Sequence, residues 1–124
     1  MKQYVHRWSE VAPTQVRPDL AGRVYEGDGL TLVRWEFAPG TPRTGMHVHT
    51  DHEQMGIVLQ GRIEMQIGEE VVQLGPGDLF WCPRNVPHGR TLVLGDTPAQ
   101  IMDVFNPPRD EYVAAANAAK PSGG

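Results

Sequence analysis

The chain has 124 residues, a formal net charge of −4 and an apolar fraction of 40%. This length suits one domain that buries roughly two-thirds of its unfolded surface, which is enough for a hydrophobic core. Basic residues are too thinly spread among the acidic ones for nucleic-acid binding. The chain has neither a membrane-length apolar run nor a signal-peptide core, so it is expected to be cytoplasmic.

Short β-prone segments follow one another along the chain, separated by glycine and proline at intervals of roughly ten residues. The segment GRVYEGDGLTLVRWEF (22–37) predicts a hairpin whose turn, GDG (27–29), uses glycine at positive φ. The segment GRIEMQIGEEVVQLGPGD (61–78) predicts a second hairpin, because apolar residues alternate on both sides of a turn near Gly68. The fold class is therefore predicted to be all-β.

Further strands are predicted for GDLFWCP (77–83), TLVL (91–94) and AQIMDVFNPP (99–108), the last ended by a double proline that cannot donate to a strand ladder. The single cysteine, Cys82, cannot form an internal disulfide, so it is interpreted as a small buried side chain and not as a reactive thiol. The alanine-rich segment RDEYVAAANAAK (109–120) predicts a helix.

Three of the five histidines lie in the segment HVHTDHEQ (47–54). On a strand, His47 and His49 point to the same face with their Cα atoms about 6.6 Å apart, so both imidazoles can reach one ion. Zinc and similar ions bind histidine nitrogen at about 2.0–2.1 Å. The alternative interpretation is a solvated pair of histidines on an edge strand.

The residues around this pair resemble the first conserved motif of the cupin superfamily. Gly40 stands before His47, one residue further away than in the family motif, and Gly61 closes the segment. Counting back from Gly61 places the fourth ligand of the motif at Gln54. Glu53 also satisfies one spacing, but it leaves one residue too many before Gly61 and would point to the opposite strand face, so Gln54 is preferred.

The segment PGDLFWCPRNVPHG resembles the second cupin motif through Gly77, Pro83 and His88. Asn85 replaces a glycine of that motif. Asparagine tolerates the left-handed conformation better than most side chains, so the turn is expected to survive the replacement. Leu92 stands where the family has an asparagine. Two motifs in the right order are more specific than either motif alone.

The two motifs together imply the double-stranded β-helix of cupins, a jelly-roll barrel in a single domain. We divide the chain into N-terminal strands and a hairpin (1–29), the barrel core (30–106) and a C-terminal segment (107–124). An open barrel of this kind leaves edge strands uncovered, so a homodimer is expected.

The resemblance also implies one divalent transition metal ion, either Zn, Ni, Fe or Cu. The implied ligands are His47, His49, Gln54 and His88. Because all four are neutral, most of the charge of the ion stays available to polarise a substrate oxygen. His52 and Glu53 are assigned to the surroundings of the site or to a surface loop, and His6 is assigned to the surface.

The segment DVFNPPRDEY resembles the tail of the small single-domain cupins of the KdgF type. Alternation places Asp103 and Phe105 on one strand face. If that face is interior, Asp103 can act as a general acid or base; the alternative is a solvated surface aspartate. The resemblance implies substrate binding by Phe105 and Arg109, although Arg109 can instead pair with Asp110 or Glu111.

Cupins of the KdgF type act on unsaturated uronates in pectin and alginate degradation. The resemblance therefore implies a metal-dependent, Lewis-acid lyase, isomerase or hydratase that acts on a small oxygen-rich acid. One alternative is an Fe(II)-dependent dioxygenase with the same ligands, and another is a non-enzymatic module that binds a small molecule. The expected partners are a small-molecule substrate and a second copy of the chain, with neither nucleic acid nor membrane.

Overall fold

A computed structural model of the protein describes residues 4–108, and within that range the chain forms ten β-strands and a single-turn 3₁₀ helix. The helix is Trp8–Glu10, and the strands are β1 (Pro13–Arg17), β2 (Leu20–Glu26), β3 (Thr31–Phe37), β4 (Met46–His47), β5 (Glu53–Gln60), β6 (Arg62–Ile67), β7 (Glu70–Leu74), β8 (Leu79–Cys82), β9 (His88–Leu94) and β10 (Ala99–Asn106). The predicted all-β class is confirmed. Among the described residues, none of the helical structure has the length and apolar character that crossing a bilayer needs.

The strands form two antiparallel sheets. The larger sheet has the order β1-β2-β3-β10-β5-β8, and the smaller has the order β4-β9-β6-β7. Spatial neighbours such as β3 and β10, or β4 and β9, are distant in sequence, which is the connectivity of a jelly roll. No strand pairing joins the two sheets among the described residues, so the predicted jelly-roll barrel has the form of two facing sheets.

Both predicted hairpins are present, because β2 pairs with β3 and β6 pairs with β7. The predicted backbone of the first turn is wrong, since neither Gly27 nor Gly29 adopts a positive φ. This connection contains four residues between the paired Glu26 and Thr31, and the Gly27 N–H donates to the Leu30 carbonyl at 2.9 Å. A loop of this length does not need the left-handed backbone that a two-residue turn requires.

The hydrophobic core lies between the two sheets. It is built from the inward-facing positions of alternating strands: Leu20, Phe37, Val58, Ile63, Met65, Phe80, Cys82, Val93, Ala99 and Ile101. Fully burying one side chain of valine to phenylalanine size stabilises a fold by about 1.5–3 kcal/mol. The period of two in these strands therefore decides which residues can face the interior between the sheets.

The C-terminal strand β10 ends at Asn106, directly before the double proline, as predicted. It pairs with β3 on one side and with β5 on the other, which places it in the middle of the larger sheet. The helix predicted for 109–120 lies outside the described residues.

The outer face of the larger sheet exposes apolar side chains near its edge strand β8. Met55, Leu79 and Trp81 are each more than half exposed there. Met55 and Trp81 are direct cross-strand partners, so these side chains form one continuous patch. An exposed apolar patch beside an edge strand is consistent with pairing of two chains, and the homodimer stays a prediction.

Packing on the inner face of the same sheet requires a residue without a side chain at position 56, which is Gly56. Gly56 on β5 is the cross-strand partner of both Phe80 on β8 and Asp103 on β10. A Cβ atom at Gly56 would lie 2.1 Å from Phe80 Cζ and 2.5 Å from Asp103 Oδ1. Glycine at this position therefore makes room for a core aromatic ring and for a buried carboxylate at once.

We expect Gly56→Ala to lower the free energy of unfolding by about 1–3 kcal/mol, because overpacking forces the neighbouring groups to shift. Chemical denaturation followed by tryptophan fluorescence measures this change. Gly27→Ala is the matched control, since nothing lies within 4 Å of the added Cβ; it should change stability by less than about 0.5 kcal/mol. Equal stability of the two variants would contradict the packing described here.

Candidate metal centre

Three histidines converge at one end of the space between the sheets. His47, His49 and His88 each offer a ring nitrogen, and these ligand atoms all lie within 4.8 Å of one another. The ring centroids are 4.9 Å apart for His47 and His49, 4.4 Å for His47 and His88, and 5.0 Å for His49 and His88. Imidazole nitrogens at this spacing can hold one transition metal ion.

Strand pairing brings the two histidine segments together. His47 on β4 is the cross-strand partner of His88, the first residue of β9. The backbones come very close here, because a Cβ atom on Gly89 would lie 2.2 Å from the Gly45 carbonyl oxygen. The extended strand expected through His49 is shorter than predicted, since β4 ends at His47.

Beyond the end of β4, a backbone hydrogen bond from the second motif holds His49 in place of strand pairing. The Asn85 N–H donates to the His49 carbonyl at 2.8 Å. Asn85 has a φ of 66°, so the left-handed conformation expected of this asparagine is confirmed. The turn that contains Asn85 thereby fixes the backbone of His49 as well as the approach to His88.

Hydrogen bonding orients the ring of His88. Its Nδ1 lies 3.0 Å from the Val86 carbonyl oxygen, which can only accept, so Nδ1 carries the proton. In the neutral ring Nε2 then holds a lone pair, and it lies 3.1 Å from Gln54 Oε1. Two acceptors at this distance repel each other unless a proton or a cation lies between them, so this donor set fits a metal ion.

The structure separates Gln54 from Glu53 by strand alternation. Gln54 is buried and faces the histidines, whereas Glu53 is partly exposed and accepts a hydrogen bond from Trp81 Nε1 at 2.9 Å. Only Gln54 of the two lies on the inner face, which agrees with the preference stated from sequence. Its role as a fourth ligand stays a prediction.

The two remaining histidines lie outside the group of three. The His52 ring centroid is 6.0 Å from that of His49, and His52 Nδ1 lies 2.9 Å from the Pro107 carbonyl oxygen. His52 therefore packs beside the site, as predicted. His6 is exposed, and its ring packs against Tyr25 with a centroid distance of 4.0 Å.

A cavity of about 310 Å³ opens beside the histidines. Its lining includes His47, Gln54 and His88 together with Asp103 and Phe105. Asp103 is 5% exposed and Phe105 is 1% exposed, so the alternative of a solvated surface aspartate is wrong. The predicted acid thus lies in the same cavity as the imidazoles, with apolar side chains filling much of the remaining wall.

Trp35 holds the carboxylate of Asp103. The indole Nε1–H donates to Asp103 Oδ2 at 3.0 Å. The indole lies over Gly22, where a Cβ atom would be 2.8 Å from Trp35 Cζ3. Sequence reasoning missed this pair, although an inward-facing tryptophan on β3 signals that its N–H needs an acceptor.

Arg17, at the end of β1, also lines the cavity and was missed from the sequence. A single arginine in a short strand carries no motif, so its position depends on strand pairing. Arg109, for which the sequence leaves open substrate binding or pairing with Asp110 or Glu111, lies outside the described residues.

Cys82 is buried beside this site. Desolvation by burial raises the pKa of its thiol from 9.0 to about 12, and the negative charge of Asp103 acts in the same direction. The thiol is therefore neutral near pH 7. The interpretation of Cys82 as a buried side chain is confirmed.

Comparisons with known proteins agree with this geometry. Residues 33–105 match the model of the cupin domain. The pectin degradation protein KdgF of Dickeya dadantii is 31% identical over 86 residues, which cover 69% of this chain and 76% of that protein. The structure of KdgF from Halomonas sp. aligns with a TM-score of 0.81 and 28% identity, covering 90% of this chain and 99% of that one.

A more distant structure shows the fold alone. An RmlC-like cupin from Shewanella frigidimarina aligns with a TM-score of 0.79 at 21% identity, covering 90% of this chain and 96% of that chain.

We expect the chelator-treated protein to bind one equivalent of Ni²⁺ or Zn²⁺ in isothermal titration calorimetry. His47→Ala should weaken this binding by more than roughly 100-fold, because removing a residue that only hydrogen-bonds to a metal ligand already lowers metal affinity by up to about 100-fold. His47 is exposed, so the variant should fold. His6→Ala is the control and should bind the ion as the wild type does. If His47→Ala bound the ion with the affinity of the wild type, the metal site described for His47, His49 and His88 would be contradicted.

The buried thiol predicts a pH dependence of stability. The unfolded thiol loses its proton near 9.0 whereas the folded thiol retains it up to about 12. Its contribution is therefore fully present below pH 9 and is lost as the pH rises toward 12, at up to about 1.4 kcal/mol per pH unit.

Urea denaturation from roughly pH 8 to pH 10 measures this slope. Cys82→Ala lacks the titrating group, so its stability should fall less steeply over the same range. Parallel slopes for the two proteins would show that the thiol ionises equally in both states.

Proposed function

We propose that this chain, which belongs to the cupin family, is a metal-dependent enzyme that isomerises a small oxygen-rich acid. The observation that carries the proposal is the placement of a buried carboxylate, Asp103, in the cavity that His47 and His88 of the three-histidine group also line. A divalent transition metal ion bound by His47, His49 and His88, with Gln54 as the fourth ligand, would supply Lewis-acid polarisation of a substrate oxygen.

The size of the cavity supports a small substrate. Ligand sites span about 300–1,000 Å³, and the volume of about 310 Å³ lies at the lower end of that range. A sugar acid of one ring suits this volume better than a polymer. Because the relatives include pectin degradation protein KdgF, we propose an unsaturated uronate as the substrate.

Asp103 has the position and chemistry to move the proton. When a cyclic hemiacetal opens, its hydroxyl group loses a proton while the bond between the ring oxygen and the anomeric carbon breaks. The ring oxygen of an unsaturated uronate then becomes an enolate, which forms a ketone when its carbon takes up a proton. Asp103 can accept the first proton and deliver the second, so the linear keto acid is an isomer of the substrate.

Two neighbours prepare Asp103 for this role. Trp35 Nε1–H, at 3.0 Å from Oδ2, fixes the rotation of the carboxylate and offsets part of its desolvation. Phe105 covers the adjacent wall, with its ring centroid 6.1 Å from that of His49. An apolar wall beside the reacting carbon limits competing proton transfer from water.

We expect Asp103→Asn to lower kcat on an unsaturated uronate by at least about 100-fold, because the amide cannot accept the proton. The reaction is followed by loss of the ultraviolet absorbance of the conjugated enol acid, and the product is identified by NMR. Asp96→Asn, at an exposed loop position, is the control and should turn over normally. Metal content should be equal in all three proteins.

Two outcomes would contradict the proposal. If Asp103→Asn retained the wild-type rate, this carboxylate would not move the proton. If turnover stopped under strict anaerobiosis and returned with ferrous iron and oxygen, the chain would be an iron dioxygenase.

A further inference from the structure

The edge strand β1 contains an irregularity close to the cavity. Its pairing with β2 runs Pro13↔Arg23, Thr14↔Gly22 and Gln15↔Ala21, and then shifts so that Arg17 is the partner of Leu20. Val16 is therefore the additional residue of a β-bulge. Bulges re-aim side chains and are over-represented at sheet edges and beside active sites.

The bulge changes which side chain faces the interior. Thr14 faces inward, because its partner is Gly22 on the inner face of the sheet. In a regular strand Val16 would follow on that face and Arg17 would point outward. The additional residue instead pairs Arg17 with the buried Leu20, so that Arg17 lines the cavity together with its neighbour Val16.

A side chain of the same strand braces the bulge. Gln15 Nε2–H donates to the Arg17 carbonyl, and it also lies 3.3 Å from the Leu20 carbonyl oxygen. One amide thus bridges both strands at the point where the register shifts. This brace fixes the backbone that carries the guanidinium group.

The charge inside the cavity makes this arginine significant. Of the described residues that line the cavity, Arg17 is the only lysine or arginine and Asp103 is the only carboxylate. Within residues 4–108 the ion pairs formed by arginine are Arg23–Glu36 and Arg43–Glu64, and neither involves Arg17. Its fork of N–H donors is therefore not committed to a carboxylate of the described protein.

We propose that Arg17 binds the carboxylate group of the acidic substrate and selects acids over neutral sugars, an inference that rests on the proposed function. An anionic substrate is repelled by the negative charge of Asp103 in a cavity of low polarity, and a cation in the same wall offsets this repulsion. The planar guanidinium also binds a carboxylate through two parallel hydrogen bonds, which orients the ring relative to Asp103.

Binding without turnover tests this assignment. The probes are galacturonate, which has the carboxylate but no double bond, and galactose, its neutral counterpart, titrated by NMR into the metal-loaded protein. We expect Arg17→Gln to weaken galacturonate binding by about tenfold or more and to leave galactose binding unchanged. Arg17→Lys should restore part of the affinity, because a point charge replaces the fork.

The matched control is Arg7→Gln, which removes the same charge at an exposed position away from the cavity. It should bind galacturonate as the wild type does. If Arg17→Gln and the wild type bound galacturonate equally, or if neither bound it, the role of Arg17 would be overturned.

Steady-state kinetics separate this inference from the proposed function. On an unsaturated uronate, Arg17→Gln should raise KM more than it lowers kcat, whereas Asp103→Asn acts mainly on kcat. Arginine-dependent galacturonate binding without turnover by the wild type would support the assignment of Arg17 and contradict the proposed isomerase. If the wild type turned over the uronate and Arg17→Gln had an unchanged KM, the isomerase would be supported and the assignment of Arg17 would be contradicted.

Discussion

The Asn85 N–H donates to the His49 carbonyl, and this backbone contact joins two segments that are far apart in sequence. Together with the His47–His88 strand pair, this hydrogen bond holds the backbones that carry the three imidazoles in fixed positions. The left-handed backbone of Asn85 makes the turn possible, and Gly89 allows the neighbouring strand to approach. The positions of the three histidines are therefore set mainly by main-chain contacts.

The remainder of the cavity wall depends on strands in the middle of the larger sheet. Asp103 lies on β10, between β3 and β5, and each neighbour contributes to its surroundings. The β3 residue Trp35 donates a hydrogen bond to it, and the β5 residue Gly56 leaves room for it. A buried carboxylate costs free energy unless it is hydrogen bonded, which Trp35 provides at Oδ2, and it also needs the space that the missing side chain of Gly56 leaves beside Oδ1.

Much of this architecture could be predicted from the sequence because it follows from local patterns. Turn residues between β-prone runs predicted both hairpins, and the double proline predicted the end of β10. Alternation placed Gln54 and Glu53 on opposite strand faces, and it placed Asp103 and Phe105 on one face without deciding whether that face is interior. The two motifs predicted the convergence of His47, His49 and His88. These features depend on side-chain period, turn chemistry and proline, which short segments of sequence carry.

The features that were missed depend on tertiary pairing. The length of β4 is set by how much of it β9 can pair, and the turn between β2 and β3 is set by the register of those strands. Arg17 faces the cavity only because the register shifts beside it. That shift has an evolutionary consequence: an insertion or deletion of one residue in this edge strand would turn Arg17 away from the cavity, and would leave the sequences of the core strands untouched.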